Sequence, residues 1–113
     1  MSAADIGALV LAAVFSTGGV TKLVGVAQAR EVAARLGTPY AVFRLVGTCE
    51  LTGGIGLLAG VLVDHRFGVA AAIGLTLLAA CGTVAHFRAR EPWSAYLPAL
   101  ALGGATLVLA LTL

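Results

Sequence analysis

Four apolar stretches, each long enough to cross a bilayer, take up most of this chain: residues 6–25, 42–63, 67–86 and 93–113. A hydrocarbon core about 30 Å thick needs roughly 20 helical residues to span it. Inside it, every backbone N–H and C=O must be bonded within the protein, which only helices and closed barrels achieve. Barrel strands alternate apolar and polar residues, and these runs are continuous instead. The pattern therefore predicts an all-α fold, a transmembrane four-helix bundle forming one domain over residues 1–113. Pro98 falls early in the fourth run, where the first turns of a helix tolerate it.

Composition excludes the main alternatives. With 60% hydrophobic residues in 113 and a mean hydropathy of +1.05, the chain is too apolar for a water-soluble domain of this size, and equally for a disordered segment. Seven Lys and Arg against five Asp and Glu are scattered along the chain, so nucleic acid is not an expected partner. Two cysteines and two histidines without close spacing form no standard zinc or iron–sulfur ligand set and no disulfide framework. No metal and no intrinsic cofactor is expected. The first run opens on an acidic Met1–Asp5, contains Lys22 and lacks a small-residue cleavage site, so it reads as a permanent helix, not a signal peptide.

Four spans place the first and third loops on one side, with the middle loop and both termini on the other. Arg30, Arg35, Arg44, Arg88 and Arg90 mark the first side, against Arg66 alone in the middle loop. Positive residues favour the cytoplasm, so both termini are expected outside it, in a multi-pass protein of a bacterial inner membrane. Residues 27–40 are too polar to span. Val26, Ala29, Val32, Ala33 and Leu36 fall on one helical face, and Gly37-Thr38-Pro39 ends the pattern. A short interfacial helix between helices 1 and 2 is expected, or else a structured loop at headgroup level.

An ionisable group in hydrocarbon is costly and must find a partner, so the few inside the spans are informative. Counting along the helix puts Glu50 about 12 Å inside the membrane and Lys22 about 5 Å, within reach of each other across the first two spans. Ser16, Thr17, Thr21, Thr48, Thr52, Thr83 and His86 fall mostly in the same half. One expectation is a polar ligand pocket with Glu50 as acceptor, Lys22 as counter-charge, His86 as a titratable gate and Thr17 and Thr21 beside them. The other is a pair that merely fixes helix register, with His86 capping a helix end.

Cys49 and Cys81 fall at similar depths, about 10 and 8 Å, on antiparallel neighbours, which makes them a candidate redox pair. Packing as small hydrophobes is the alternative. Gly18, Gly19, Gly53, Gly54, Gly56 and Gly60 are expected to pack helices closely, within the bundle or between subunits. They lie inside apolar helices and so form no phosphate loop.

Together, Phe15-x-x-Gly18-Gly19-x-x-Lys22-Leu23, Leu36-Gly37-x-Pro39, Gly47-x-x-Glu50-Leu51-x-Gly53-Gly54 and the closing His86 resemble the DoxX-like family of small four-helix membrane proteins. The resemblance covers most of the chain and is strongest in the first two helices. It implies a compact four-helix bundle and marks Lys22, Glu50, Gly53 and Gly54 as positions matching the family pattern. The fourth helix lacks the polar motif of many longer relatives. Relatives have been linked with quinone-reducing sulfur oxidation, thiol-stress oxidoreductase assemblies and chaperoning of membrane receptors, and a shared fold does not choose among these.

Two functional expectations follow. In the first, the bundle binds a small hydrophobic or amphipathic molecule, a quinone or a lipid, as a subunit of a membrane redox assembly. In the second, it is an interaction module that assists assembly of a larger membrane protein through its glycine-lined faces. Membrane lipids and either a second copy or a larger membrane complex are the expected partners. Enzymatic activity is left open.

Overall fold

The computed structural model describes all 113 residues and is entirely helical. Its elements are α1 (Ala3–Val24), α2 (Ala27–Arg35), α3 (Tyr40–Leu62), α4 (His65–Arg88) and α5 (Trp93–Thr112). By length and composition, α1, α3, α4 and α5 are each able to cross a membrane. They correspond to the four apolar runs.

Two of the helices, α1 and α4, start earlier than their apolar runs behind polar caps, whereas α3 and α5 begin after Pro39 and Pro92 without a side-chain cap. Ser2 Oγ accepts from the Asp5 N–H at 3.1 Å, and the Asp5 carboxylate accepts from the Ser2 N–H at 3.2 Å, which closes a capping box ahead of the first apolar turn. Asp64 accepts from the Arg66 N–H at 3.0 Å and starts α4 two residues before Phe67. Gly25, at φ +84°, ends α1 in the left-handed conformation that a side chain disfavours. Gly37, at φ +65°, follows α2 in the same way.

The amphipathic segment is helical over Ala27–Arg35, shorter than the 27–40 pattern. Ala29 and Ala33 are buried against Phe43, with Val32, Leu36 and Tyr40 around them, while Val26 points outward. Arg35 and Glu91 approach to 3.4 Å, so an ion pair joins α2 to the loop between α4 and α5.

Between helices in lipid there is little hydrophobic driving force, so association depends on close packing and on small residues that permit it. The glycines of α3 divide into two such faces. Toward α1, a Cβ on Gly47 would stand 2.7 Å from Lys22 Cβ, and one on Gly19 would stand 2.6 Å from the Gly47 carbonyl oxygen. Gly54 lies against Ser16 on the same face. Toward α4, a Cβ on Gly53 would meet Leu75, one on Gly56 would meet Ala71 at 2.8 Å, and one on Gly60 would meet Gly68 Cα at 2.5 Å. The side chains of Leu57, Leu75 and Ala72 fill the centre with Phe15 and Leu109. On α5, the fully buried Thr106 accepts from the Thr76 hydroxyl of α4 at 2.8 Å. The bundle therefore runs α1–α3–α4–α5, each helix packed on the next, with α1 and α5 touching only sparingly.

Candidate functional site

Lys22 sits in the last turn of α1 and Glu50 in the middle of α3, and the glycine crossing brings them together. Lys22 Nζ donates to Glu50 Oε1 at 2.6 Å, with the two side chains 21% and 13% exposed. Gly18 makes this possible: a Cβ there would lie 2.7 Å from Glu50 Oε2. The Tyr40 hydroxyl, at the start of α3, donates to the Lys22 carbonyl at 2.6 Å and fixes the end of α1. The Phe43 ring lies 5.4 Å from the Lys22 ammonium, within cation–π range.

The pair borders a partly open cavity of about 310 Å³ lined by all four spans. Lys22 and Glu50 supply its charged wall, His86 of α4 a second polar group, and Phe15, Pro98 and Leu102 part of its apolar lining. His86 Nδ1 is buried and has no hydrogen-bond partner. An unpaired buried polar atom is costly, and a partner that reached it would remove that cost. Lys22 and His86 supply donors to an incoming oxygen, and Glu50 and a neutral His86 nitrogen supply acceptors.

Lys22, Glu50 and His86 thus share one cavity, and the other polar candidates do not join them. Thr17 is exposed, and the Thr21 hydroxyl donates to the Gly18 carbonyl at 2.8 Å; neither lines the cavity. Thr48, Thr52 and Thr83 donate in the same way to carbonyls of their own helices. A threonine inside a helix can bond the carbonyl one turn back, so similar depth in the membrane does not make a shared polar site. Cys49 and Cys81 are both free thiols and line a separate groove of about 630 Å³ on the outer face between α3 and α4.

Residues beyond Lys22, Glu50 and His86 also shape the site. Tyr40 and Phe43 buttress Lys22, and the signal for them was an aromatic pair just after Pro39, one turn apart. Glu91 is the other largely buried carboxylate, its Oε1 near Arg35 without hydrogen-bond alignment. Its place in a polar loop gave no sign of burial.

The model of the DoxX-like family matches residues 6–112. The chain belongs to the DoxX-like family. Its four apolar helices make this family member a multi-pass membrane protein. No curated protein and no solved structure matches it. Within the DoxX-like chain, the glycine, lysine and glutamate motifs of the first two spans converge on one crossing: Gly18 and Gly19 face Gly47 and Glu50, with Lys22 closing the pair.

Proposed function

We propose that this DoxX-like protein binds a small hydrophobic or amphipathic molecule, a quinone or a lipid, with its polar head in the cavity of Lys22, Glu50 and His86. The observation that carries the reading is that His86, whose Nδ1 is buried without a partner, lines the same cavity as the ion pair. The volume, about 310 Å³, is at the lower end of ligand pockets and suits a head group. Because Lys22 and Glu50 neutralise each other, the site favours an uncharged head that accepts and donates hydrogen bonds, as a quinone ring or its reduced form does. Glu50 is the anchor, Lys22 its counter-charge, and His86 the group that gains a partner when the head arrives.

In this reading the protein works as a subunit of a larger membrane redox assembly, in a bacterial inner membrane, with both termini outside the cytoplasm. The arginines at the ends of α2, α3 and α4 support that orientation. The assembly-module alternative draws less support, because Gly19, Gly47, Gly53, Gly54, Gly56 and Gly60 are occupied in packing within one bundle.

Native mass spectrometry of the protein, gently extracted from its own membrane, tests the reading against Glu50→Gln. A co-purifying quinone or lipid that is lost in the folded variant is the expected result. An empty native chain, or the same ligand retained by the variant, would refute it. A retained protein partner would put assembly first.

A further inference from the structure

The four spans enclose the cavity unequally. α1 is sealed on α3, and α3 on α4, by glycines that leave no room for a Cβ, and α4 is joined to α5 through Thr76 and Thr106. α1 and α5 have no such seal. Along their seam runs an apolar groove of about 680 Å³, walled by Gly7 and Val10 on one side and Ala105 and Val108 on the other, with Leu11 and Leu109 at its floor.

Cavity and groove lie on the same helix faces. Val14 borders the cavity and Val10, one turn away on α1, borders the groove. On α5, Leu102 borders the cavity and Ala105 the groove. A head group that fills the cavity leaves no space there for a hydrocarbon tail, and the tail must leave between two helices. The α1/α5 seam is the one between neighbouring spans that has neither a backbone-close glycine crossing nor a side-chain hydrogen bond.

We infer that the α1/α5 seam is the tail channel and lateral access route for a single-tailed amphipath with an uncharged head. The inference rests on the proposed cavity reading and adds to it the ligand class and its path. The head sits among Lys22, Glu50 and His86 at the end of the bundle carrying α2, and the tail runs along Val14 and Val10 toward the other end. From Gly18 to Ala4 the path is about 21 Å at 1.5 Å per residue, which accommodates one extended chain lying as it does in a leaflet. Bilayer hydrocarbon is as apolar as the groove, so the tail contributes orientation and route more than affinity. The decisive measurement is therefore where the tail lies.

The test uses the full chain in lipid nanodiscs and a benzoquinone with one decyl tail ending in a diazirine, photolysed and mapped by mass spectrometry. Label is expected on Val10, Ala105 and Val108, and an excess of the diazirine-free molecule should lower it about tenfold, a difference of roughly 1.4 kcal/mol. Gly104 lines the groove, and a Cβ there meets nothing within 4 Å, so Gly104→Phe obstructs the seam without displacing a neighbour at its first carbon. That variant should lose the seam label by a similar factor while still binding benzoquinone without a tail. Label that ignores the competitor, or that concentrates on Phe67 and Leu77 in the α3/α4 groove, overturns the inference. If Gly104→Phe keeps its seam label while tail-less binding still requires Glu50, the seam fails and the cavity stands. If tail-less binding in the native chain does not depend on Glu50, cavity and seam fall together.

Discussion

Gly18 and Glu50 are matched in space: the carboxylate that pairs with Lys22 occupies the position that any side chain at residue 18 would take. Glu50 Oε2 lies 2.7 Å from where a Cβ on Gly18 would stand, and Lys22 Nζ lies 3.9 Å from it. A single hydrogen atom on α1 thus leaves room for a charged group from α3.

Gly18→Ala should therefore act on the site before it acts on the fold. The added methyl makes the carboxylate shift, and because that carboxylate ends a flexible side chain the cost falls at the low end of overpacking, about 1 kcal/mol. Thermal unfolding in detergent should show that loss, whereas Gly104→Ala, with open space around it, should be neutral or stabilising by up to about 1 kcal/mol through helix propensity. Equal losses at the two positions would contradict the packing described.

Breaking the ion pair from one side leaves a charge without a partner. Lys22→Met should destabilise by on the order of 3 kcal/mol, the lower end of the range for buried pairs, because both side chains keep some exposure. Adding Glu50→Gln to Lys22→Met should restore part of the loss, since the stranded carboxylate is removed. A double-mutant cycle measures this, and additive losses would mean that the pair is not coupled.

Two glycines of α3 that face α4 should differ in their tolerance of alanine. At Gly60 the obstacle is the Gly68 backbone, 2.5 Å from a new Cβ, and at Gly53 it is the Leu75 side chain. Backbone yields less readily than a leucine that can change rotamer, although Leu75 is itself fully buried. Gly60→Ala should lower the unfolding free energy by about 2–3 kcal/mol and Gly53→Ala by about 1–2 kcal/mol. The reverse order in chemical or thermal unfolding would contradict it.

Arg90 holds a left-handed backbone, at φ +57°, just past the end of α4, where the Glu91 N–H bonds back to the His86 carbonyl. This is the helix-ending position usually given to glycine. Arg90→Gly should stabilise the protein by about 1 kcal/mol, the relief of a left-handed side-chain clash less the greater freedom of glycine in the unfolded chain. A drop in melting temperature would show that the Arg90 side chain makes a contribution larger than its strain.

The distance between Lys22 and Glu50 was legible because a charge inside an apolar run must be paired, and the helical rise places both at reachable depths. His86 was legible as the ionisable group that closes the third apolar run. The threonines were not, because depth alone does not reveal that a hydroxyl is already spent on its own helix, as Thr21 is on Gly18. For the cysteines, equal depth did put Cys49 and Cys81 along one groove, but on the outer face, away from the charged pair.

Apolar run length alone determined the membrane-crossing helices, because hydrocarbon leaves the backbone no other partner than itself. Ser2 and Asp64 cap the starts of α1 and α4, prolines precede α3 and α5, and the period of the polar segment announced α2 though not where it ends. Which glycine faces which helix was decided only by tertiary structure, since Gly53 and Gly54 are neighbours in the chain yet pack against α4 and α1 respectively. The rotation of each helix about its axis depends on all its neighbours at once, and a nearly uniform apolar surface carries little record of it. That rotation turned Lys22, Glu50 and His86 into one cavity and left the seam between α1 and α5 open beside it.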